Sequence, residues 1–372
     1  MTCKAIIHFG LPKTATTMTQ NALFSQKDAL LAESGLLYPG DEANHTNQLC
    51  TAFLADPRNH ITNKLAGTPL EELQRRAVQI RRHLADEVRR IGPQRVLFSA
   101  EGLVNLSAEE LTGLRGWMEG FCDAIEILCV VREPISYVTS VTQQHLKGGE
   151  TLAANYANLP LPYFKRRLHN AQSVFGADSI TVMPFEAMVA AEGGMIRSFL
   201  RAVGVEGPVA EAVEGAATFD NASLTHGAAL MLSRLNETRP MITPDGRGNL
   251  RSELELEVLS QLKGEKFRLP PDVAKRVFES SRGDVEWLNE QFGLDLYREE
   301  PTFKEEVSLG EDAQFMGTLS AMLSNLINYR HVKELEAQLS RIPDTAPDTA
   351  RKGLRDKIAR LRGLKAPRRE PA

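Results

Sequence analysis

The chain opens on a short apolar run, Ala5, Ile6 and Ile7, that breaks at Gly10 and Pro12, after which Met18, Ala22, Leu23 and Phe24 recur at helical spacing. That pattern predicts a strand, a tight loop and a helix. Buried-strand runs return at 95–102, 124–131 and 179–186, with a short extended piece at Leu36-Leu37-Tyr38 that ends in Pro39-Gly40. Helical periodicity fills the intervals: 48–54, then 70–90 (Leu70, Leu73, Ala77, Ile80, Leu84, Val88), 108–121, a helix opened by Pro134 and ended by Gly148, 163–175, and 195–203 closed by Gly204. Apolar strands alternating with amphipathic helices predict a parallel sheet covered on both faces. From Ala228 onward the pattern is helical throughout, and 240–249, rich in Pro, Gly, Asp and Arg, reads as a loop or lid. Leu319, Met322, Leu323, Leu326, Ile327, Val332, Leu335 and Leu339 keep near-heptad spacing and predict a long helix, stopped by Pro343 and the repeat Asp-Thr-Ala-Pro-Asp-Thr-Ala.

Composition adds little to this picture and removes some alternatives. With 372 residues, 42% of them apolar and 25% charged, the chain can bury a full core, and a net charge of −4 gives no global signal for nucleic acid. Met1-Thr2-Cys3-Lys4 leads straight into the first strand and no run is long enough to span a bilayer, so a cytoplasmic protein is expected. Cys3, Cys50, Cys122 and Cys129 form no C-x-x-C pair and read as reduced, buried thiols. Near the C-terminus Leu354, Ile358 and Leu361 share one helix face while Arg351, Lys352, Arg355, Lys357, Arg360, Arg362 and Lys365 crowd the rest. This is the pattern of a solvated basic tail or of a helix lying on an anionic membrane surface, and pairing through 319–339 would make a homodimer.

The candidate chemistry starts at Pro12-Lys13-Thr14-Ala15-Thr16-Thr17. Loop amides at the positive end of a helix make an anion site, Lys13 adds a point charge, and the three threonines add hydroxyl donors. The lysine comes too early for the Walker pattern, and neither Ala15 nor Thr16 supplies its second glycine. Arg132 stands just past the most apolar strand, and the helix after Pro134 carries Ser136, Tyr137, Ser140, Gln143 and Gln144 in its first turns. A guanidinium offers phosphate a bidentate fork, and a serine hydroxyl adds a further donor.

These motifs resemble those of sulfotransferases that use 3′-phosphoadenosine 5′-phosphosulfate (PAPS). The family's Pro-Lys-Thr-Gly-Thr-Thr loop cradles the 5′-phosphosulfate, and an arginine with a serine eight residues on, matched here by Arg132 and Ser140, holds the 3′-phosphate. Ala15 stands where the family usually has glycine; if the position needs positive φ, alanine costs about 1 kcal/mol. The resemblance covers roughly the first 300 residues. It implies an α/β fold, a three-layer sandwich similar to nucleotide kinases with a central parallel sheet flanked by helices and a helical C-terminal part. The core would span 1–220, an acceptor-side helical part 221–300, and a long helix, Pro-containing linker and basic tail 301–372.

The implied activity is transfer of a sulfuryl group to an acceptor hydroxyl or amine with adenosine 3′,5′-bisphosphate leaving, and the scheme requires no metal. Glu101, at the end of the 95–102 strand, is where related enzymes place a catalytic base. His45 is the other candidate, and His8, inside the first strand, packs or orients the loop. Asn221 and Ser223 fall where the family has a late loop near the 3′-phosphate, although Ser223 also reads as a helix cap. The acceptor, whether small molecule, lipid or glycan, is not legible. Two other readings stay open: an ATP-dependent P-loop kinase with Mg²⁺ held by Thr14 and Glu101, and a nucleotide-binding scaffold at a membrane surface disabled by Ala15.

Overall fold

In the computed structural model, which describes residues 3–218, 223–241, 254–260, 265–302, 313–343 and 348–363, the extended runs become strands β1 (Lys4–Gly10), β2 (Leu36–Leu37), β3 (Arg95–Ser99), β4 (Ala124–Val131) and β5 (Ile180–Pro184). They form one parallel sheet in the order β2-β3-β1-β4-β5. β1 is central, with Lys4 opposite Arg95 on one side and Ala124 on the other. The loops that leave the carboxyl ends of β1, β3 and β4 therefore emerge at a single edge of the sheet, where open α/β sheets hold their ligands.

Strand alternation sorts the core into two layers. Ala5, Ile7 and Phe9, with Val96, Phe98, Ile127, Cys129 and Val131, face one side and pack on Leu84, Val88, Leu111, Leu114, Phe164, Leu168, Val285 and Leu288. Ile6, Leu97, Leu128 and Val130 face the other and meet Leu23, Leu30, Phe199, Leu200, Val209 and Val213. The fold is therefore an α/β sandwich with helices on both faces of a parallel sheet.

Local signals set the helix ends. The Leu70–Ile91 helix carries Glu71 and Glu72 in its first turn and Arg89 and Arg90 in its last, as the helix dipole favours, and ends at left-handed Gly92. Ser107 and Glu110 cap the Ala108–Glu119 helix reciprocally. Two strand ends depart from the apolar pattern, which predicts strands through Gly102 and Glu186: β3 stops at Ser99, with Glu101 opening a 3₁₀ helix beyond it. β5 stops at Pro184, and Phe185 opens a short helix to Ala190. Proline has no N–H with which to continue the ladder.

Contact density divides the chain into two units: Met1–Tyr137 with Leu161–Asp220 and Arg276–Thr302, and Val138–Pro160 with Asn221–Lys275 and Phe303–Ala372. The first holds the whole sheet. The second is helical among the described residues, apart from one antiparallel bridge between Thr225 and Lys266. Within it, Asn236 donates to the Leu146 carbonyl at 2.8 Å, Leu224 N–H donates to Gln143 at 2.8 Å, and the buried Glu255 carboxylate faces Arg239 at 3.5 Å and accepts from Ser324 at 3.1 Å.

The long helix runs Ala313–Arg341, and the basic segment is a second helix, Asp348–Gly363. Val332, Leu335 and Leu339 take up Leu354, Ile358 and Leu361, so the chain's own long helix covers the apolar stripe of the basic segment. Among the described residues no helix is long and apolar enough to cross a membrane. Residues 242–249 of the expected lid, and Lys365, lie outside the described residues.

Ile358→Ala should cost the helix pair about 2 to 5 kcal/mol. Trypsin should then cut within 348–363 several-fold faster while the main thermal transition stays in place. An unchanged cleavage rate would contradict the packing.

Candidate functional site

Two residues of the loop after β1 have left-handed backbones, Lys13 at φ 69° and Ala15 at φ 59°. Ala15 is thus the alanine that bears the strain expected for positive φ. Gly10 permits the loop to close: a Cβ there would fall 2.5 Å from Thr16 Oγ1 and 2.6 Å from its Cγ2. Thr14 is fully buried and donates its hydroxyl to the Leu11 carbonyl at 2.7 Å, with Thr16 Oγ1 3.2 Å away. Pro12 and Lys13 are half-buried, and Thr17 is exposed. No side chain caps the Thr16–Ser25 helix, so its first-turn N–H groups face the loop as donors for an anion.

Arg132, the first residue after β4, reaches this loop. Its Nη1 donates to the Lys13 carbonyl at 2.7 Å and its Nε to Ser136 Oγ at 2.8 Å, leaving Nη2 without a hydrogen-bond partner among the described residues. The guanidinium lies 4.9 Å from the Phe185 ring centre and 4.0 Å from the Glu186 carboxylate. Burial lowers its pKa while Glu186 and Glu133 hold it up, so it stays charged. Glu186 is itself engaged: it accepts from Glu133 N–H at 3.2 Å and from the Tyr297 hydroxyl at 3.0 Å. Glu133 in turn accepts from the N–H groups of Ile135 and Ser136 and caps the Pro134–Lys147 helix. A cleft of about 840 Å³ opens beside Glu133 and Pro134, lined also by Ser281, Val285, Tyr297 and Arg298.

Glu101 begins the single turn after β3. Burial raises its carboxyl pKa, offset in part by a hydrogen bond with Thr16 and by the charge of Lys13. A lysine, an arginine and a carboxyl with a raised pKa therefore meet around one loop, at the ends of three adjacent strands.

The histidines lie deeper. His45 is fully buried; Nδ1 accepts from Ser99 N–H at 3.0 Å and Nε2 contacts the Pro39 carbonyl at 2.8 Å, which fixes the proton on Nε2. Burial drops its pKa to about 4. With both ring nitrogens committed it ties β3 to the 39–45 segment and has no nitrogen to offer an acceptor. His8 is fully buried with Nδ1 2.8 Å from Ser99 Oγ and its ring 4.7 Å from that of Phe199, and burial drops its pKa to about 3. Gln20 joins them, donating to the Ser99 carbonyl at 3.2 Å and to its Oγ at 3.1 Å.

The structure thus brings together Lys13, Thr14, Ala15, Thr16, Glu101 and Arg132. Ser140 lies on the part of the Pro134–Lys147 helix that belongs to the second unit. Asn221 is outside the described residues. Ser223 is exposed and does not cap the His226–Thr238 helix; Thr225 does, accepting from Ala228 N–H. Sequence reasoning missed Gln20 and Glu186, and it named Ser136 among the first-turn residues of its helix without singling it out as the direct partner of Arg132. Spacing held a signal for two of them: Ser136 comes four residues after Arg132, and Gln20 comes one helical turn after Thr16.

No protein-family model matches the chain, and no curated protein does. Two solved structures similar to it are a sulfotransferase from Alicyclobacillus acidocaldarius (16% identity, TM-score 0.40, 79% of this chain and 98% of that one) and the sulfotransferase domain of the curacin biosynthetic pathway (11% identity, TM-score 0.34, 75% and 97%).

Ala15→Gly should remove the left-handed penalty, worth at most about 1 kcal/mol after the extra chain entropy of glycine, and raise the urea midpoint slightly. A clear loss of stability would show that alanine is not strained there. For His8 the folded pKa lies below the unfolded value, so its contribution is complete above about 6.5 and drains away as pH falls toward 3. His8→Gln should accordingly lose less stability than the parent between pH 7 and pH 5. Equal losses would contradict burial of the neutral ring.

Proposed function

We propose that the protein transfers a sulfuryl group from PAPS to an acceptor hydroxyl or amine. The observation that carries this reading is the bond from Arg132 to the carbonyl of Lys13, which sets a guanidinium with an unpartnered Nη2 against a loop already suited to one anion. Two adjacent cationic subsites suit a nucleotide bearing separate 3′- and 5′-anionic groups better than a linear triphosphate. The hydroxyl of Thr14, which a kinase would turn to Mg²⁺, is buried and spent on the Leu11 carbonyl, which disfavours the ATP reading.

In this scheme Lys13 and the first-turn amides of the Thr16–Ser25 helix hold the 5′-phosphosulfate and stabilise the charge that builds on the bridging oxygen as the S–O bond breaks. Arg132 grips the 3′-phosphate, with Ser136 orienting it and Ser140 further along the same helix. Glu101 takes the acceptor proton as the acceptor oxygen or nitrogen bonds to sulfur; its raised pKa brings it nearer the range where a carboxylate is an effective base. His45 has no role in this chemistry. The acceptor would be a small molecule, lipid or glycan.

Arg132→Ala should weaken adenosine 3′,5′-bisphosphate binding by roughly 2 to 4 kcal/mol and adenosine 5′-phosphate binding far less, as calorimetry would show. Equal losses for the two ligands would sink the 3′-phosphate assignment. Glu101→Gln keeps the shape and removes the base, so kcat with PAPS should fall about 10² to 10⁴-fold while bisphosphate binding persists. An active Glu101→Gln enzyme would remove Glu101 from the mechanism.

A further inference from the structure

At the opposite ends of β1 and β4 from Lys13 and Arg132 lies a pair of thiols. Lys4 stands opposite Ala124, so Cys3 falls beside Asp123, and the two exchange hydrogen bonds: Asp123 N–H to the Cys3 carbonyl at 2.8 Å and Cys3 N–H to the Asp123 carboxylate at 2.7 Å. That reciprocal clamp holds the side chain of Cys3 against the residue before Asp123. The sulfurs of Cys3 and Cys122 are 2.8 Å apart, closer than two thiols in simple van der Waals contact, and both residues are buried at 8% and 6% exposure. Cys50 and Cys129 are buried in other parts of the core and show no such partner.

We propose that Cys3 and Cys122 form an intramolecular disulfide when the folded protein meets a small-molecule disulfide oxidant. The thiolate of one cysteine attacks the oxidant, forming a mixed disulfide and expelling one thiolate. The second cysteine then attacks the protein sulfur of that mixed disulfide and expels the other. The two protein thiols lose two protons and two electrons, and the oxidant is reduced to two thiols. Because the sulfurs already touch, the second step needs only a small side-chain movement and no shift of the strands. The first step is slow near neutral pH, since burial raises both thiols' pKa, with the neighbouring Asp123 carboxylate adding to the effect. The bridge would lock at their far ends the two strands that carry Lys13 and Arg132.

The test uses the full-length, fully reduced protein, incubated without denaturant in glutathione disulfide near the ordinary thiol pKa of about 8.5, then quenched in acid, unfolded and alkylated. The expected product is two hydrogens lighter than the reduced chain, has two of its four cysteines protected from alkylation, yields a Cys3–Cys122 cross-linked peptide, forms more slowly at pH 7, and melts at a higher temperature. Cys3→Ser and Cys122→Ser, whose hydroxyls keep the size and polarity of the thiol, should each abolish the bridge. Four alkylatable thiols after oxidation, a bridge through Cys50 or Cys129, or a mixed disulfide that never resolves would each overturn the proposal.

Discussion

A parallel sheet delivers the ends of its strands to one edge, and the site of this protein depends on β1 lying between β3 and β4. That arrangement lets Arg132, a residue 119 positions along the chain from Lys13, donate to its carbonyl. The bond satisfies a carbonyl that the left-handed turn at Lys13 leaves outside any helix or ladder. It also fixes the separation of the two cations whose spacing would select the ligand.

Below this edge the sheet holds polar groups that ordinarily stay at the surface. Ser99 meets His8, Gln20 and His45 through its hydroxyl, carbonyl and N–H, each fully or almost fully buried. The cluster is only partly paired, since His8 Nε2 and Gln20 Oε1 have no hydrogen-bond partner among the described residues, and it is held with its members neutral at a cost that an unpaired buried polar group imposes. Its return is geometric. Ser99 is two residues before Glu101, and Gln20 one turn after Thr16, so the Gln20–Ser99 bonds tie the strand that leads to the carboxylate to the helix that follows the loop. His45 is a structural strut in this arrangement, with both ring nitrogens bonded within the protein.

Much of the fold was legible because apolar runs and helical stripes are local. The three central strands, the loop and the helix after Pro134 can be read from Ile6, Leu97, Val130 and the breaks at Gly10, Pro12 and Pro134. Lys13, Glu101 and Arg132 were legible as strand-end residues in such a sheet. What pattern alone could not supply depends on register and on partners far along the chain. Nothing in the residues near His45 shows that Pro39 and Ser99 occupy both its nitrogens. The basic segment likewise reads as amphipathic in isolation, and only the packing of Leu354, Ile358 and Leu361 on the Ala313–Arg341 helix shows what its apolar face meets.

On the proposed reading, loop and guanidinium together form a site for a 3′,5′-substituted nucleotide that needs no divalent cation to bind. Thermal-shift titration of the unaltered protein tests it directly, with adenosine 3′,5′-bisphosphate in chelator set against ATP with Mg²⁺. A saturable rise in melting temperature is expected with the bisphosphate, growing as the logarithm of ligand above its Kd, and a much smaller one with ATP. A rise with ATP and Mg²⁺ that exceeds that with the bisphosphate would contradict it.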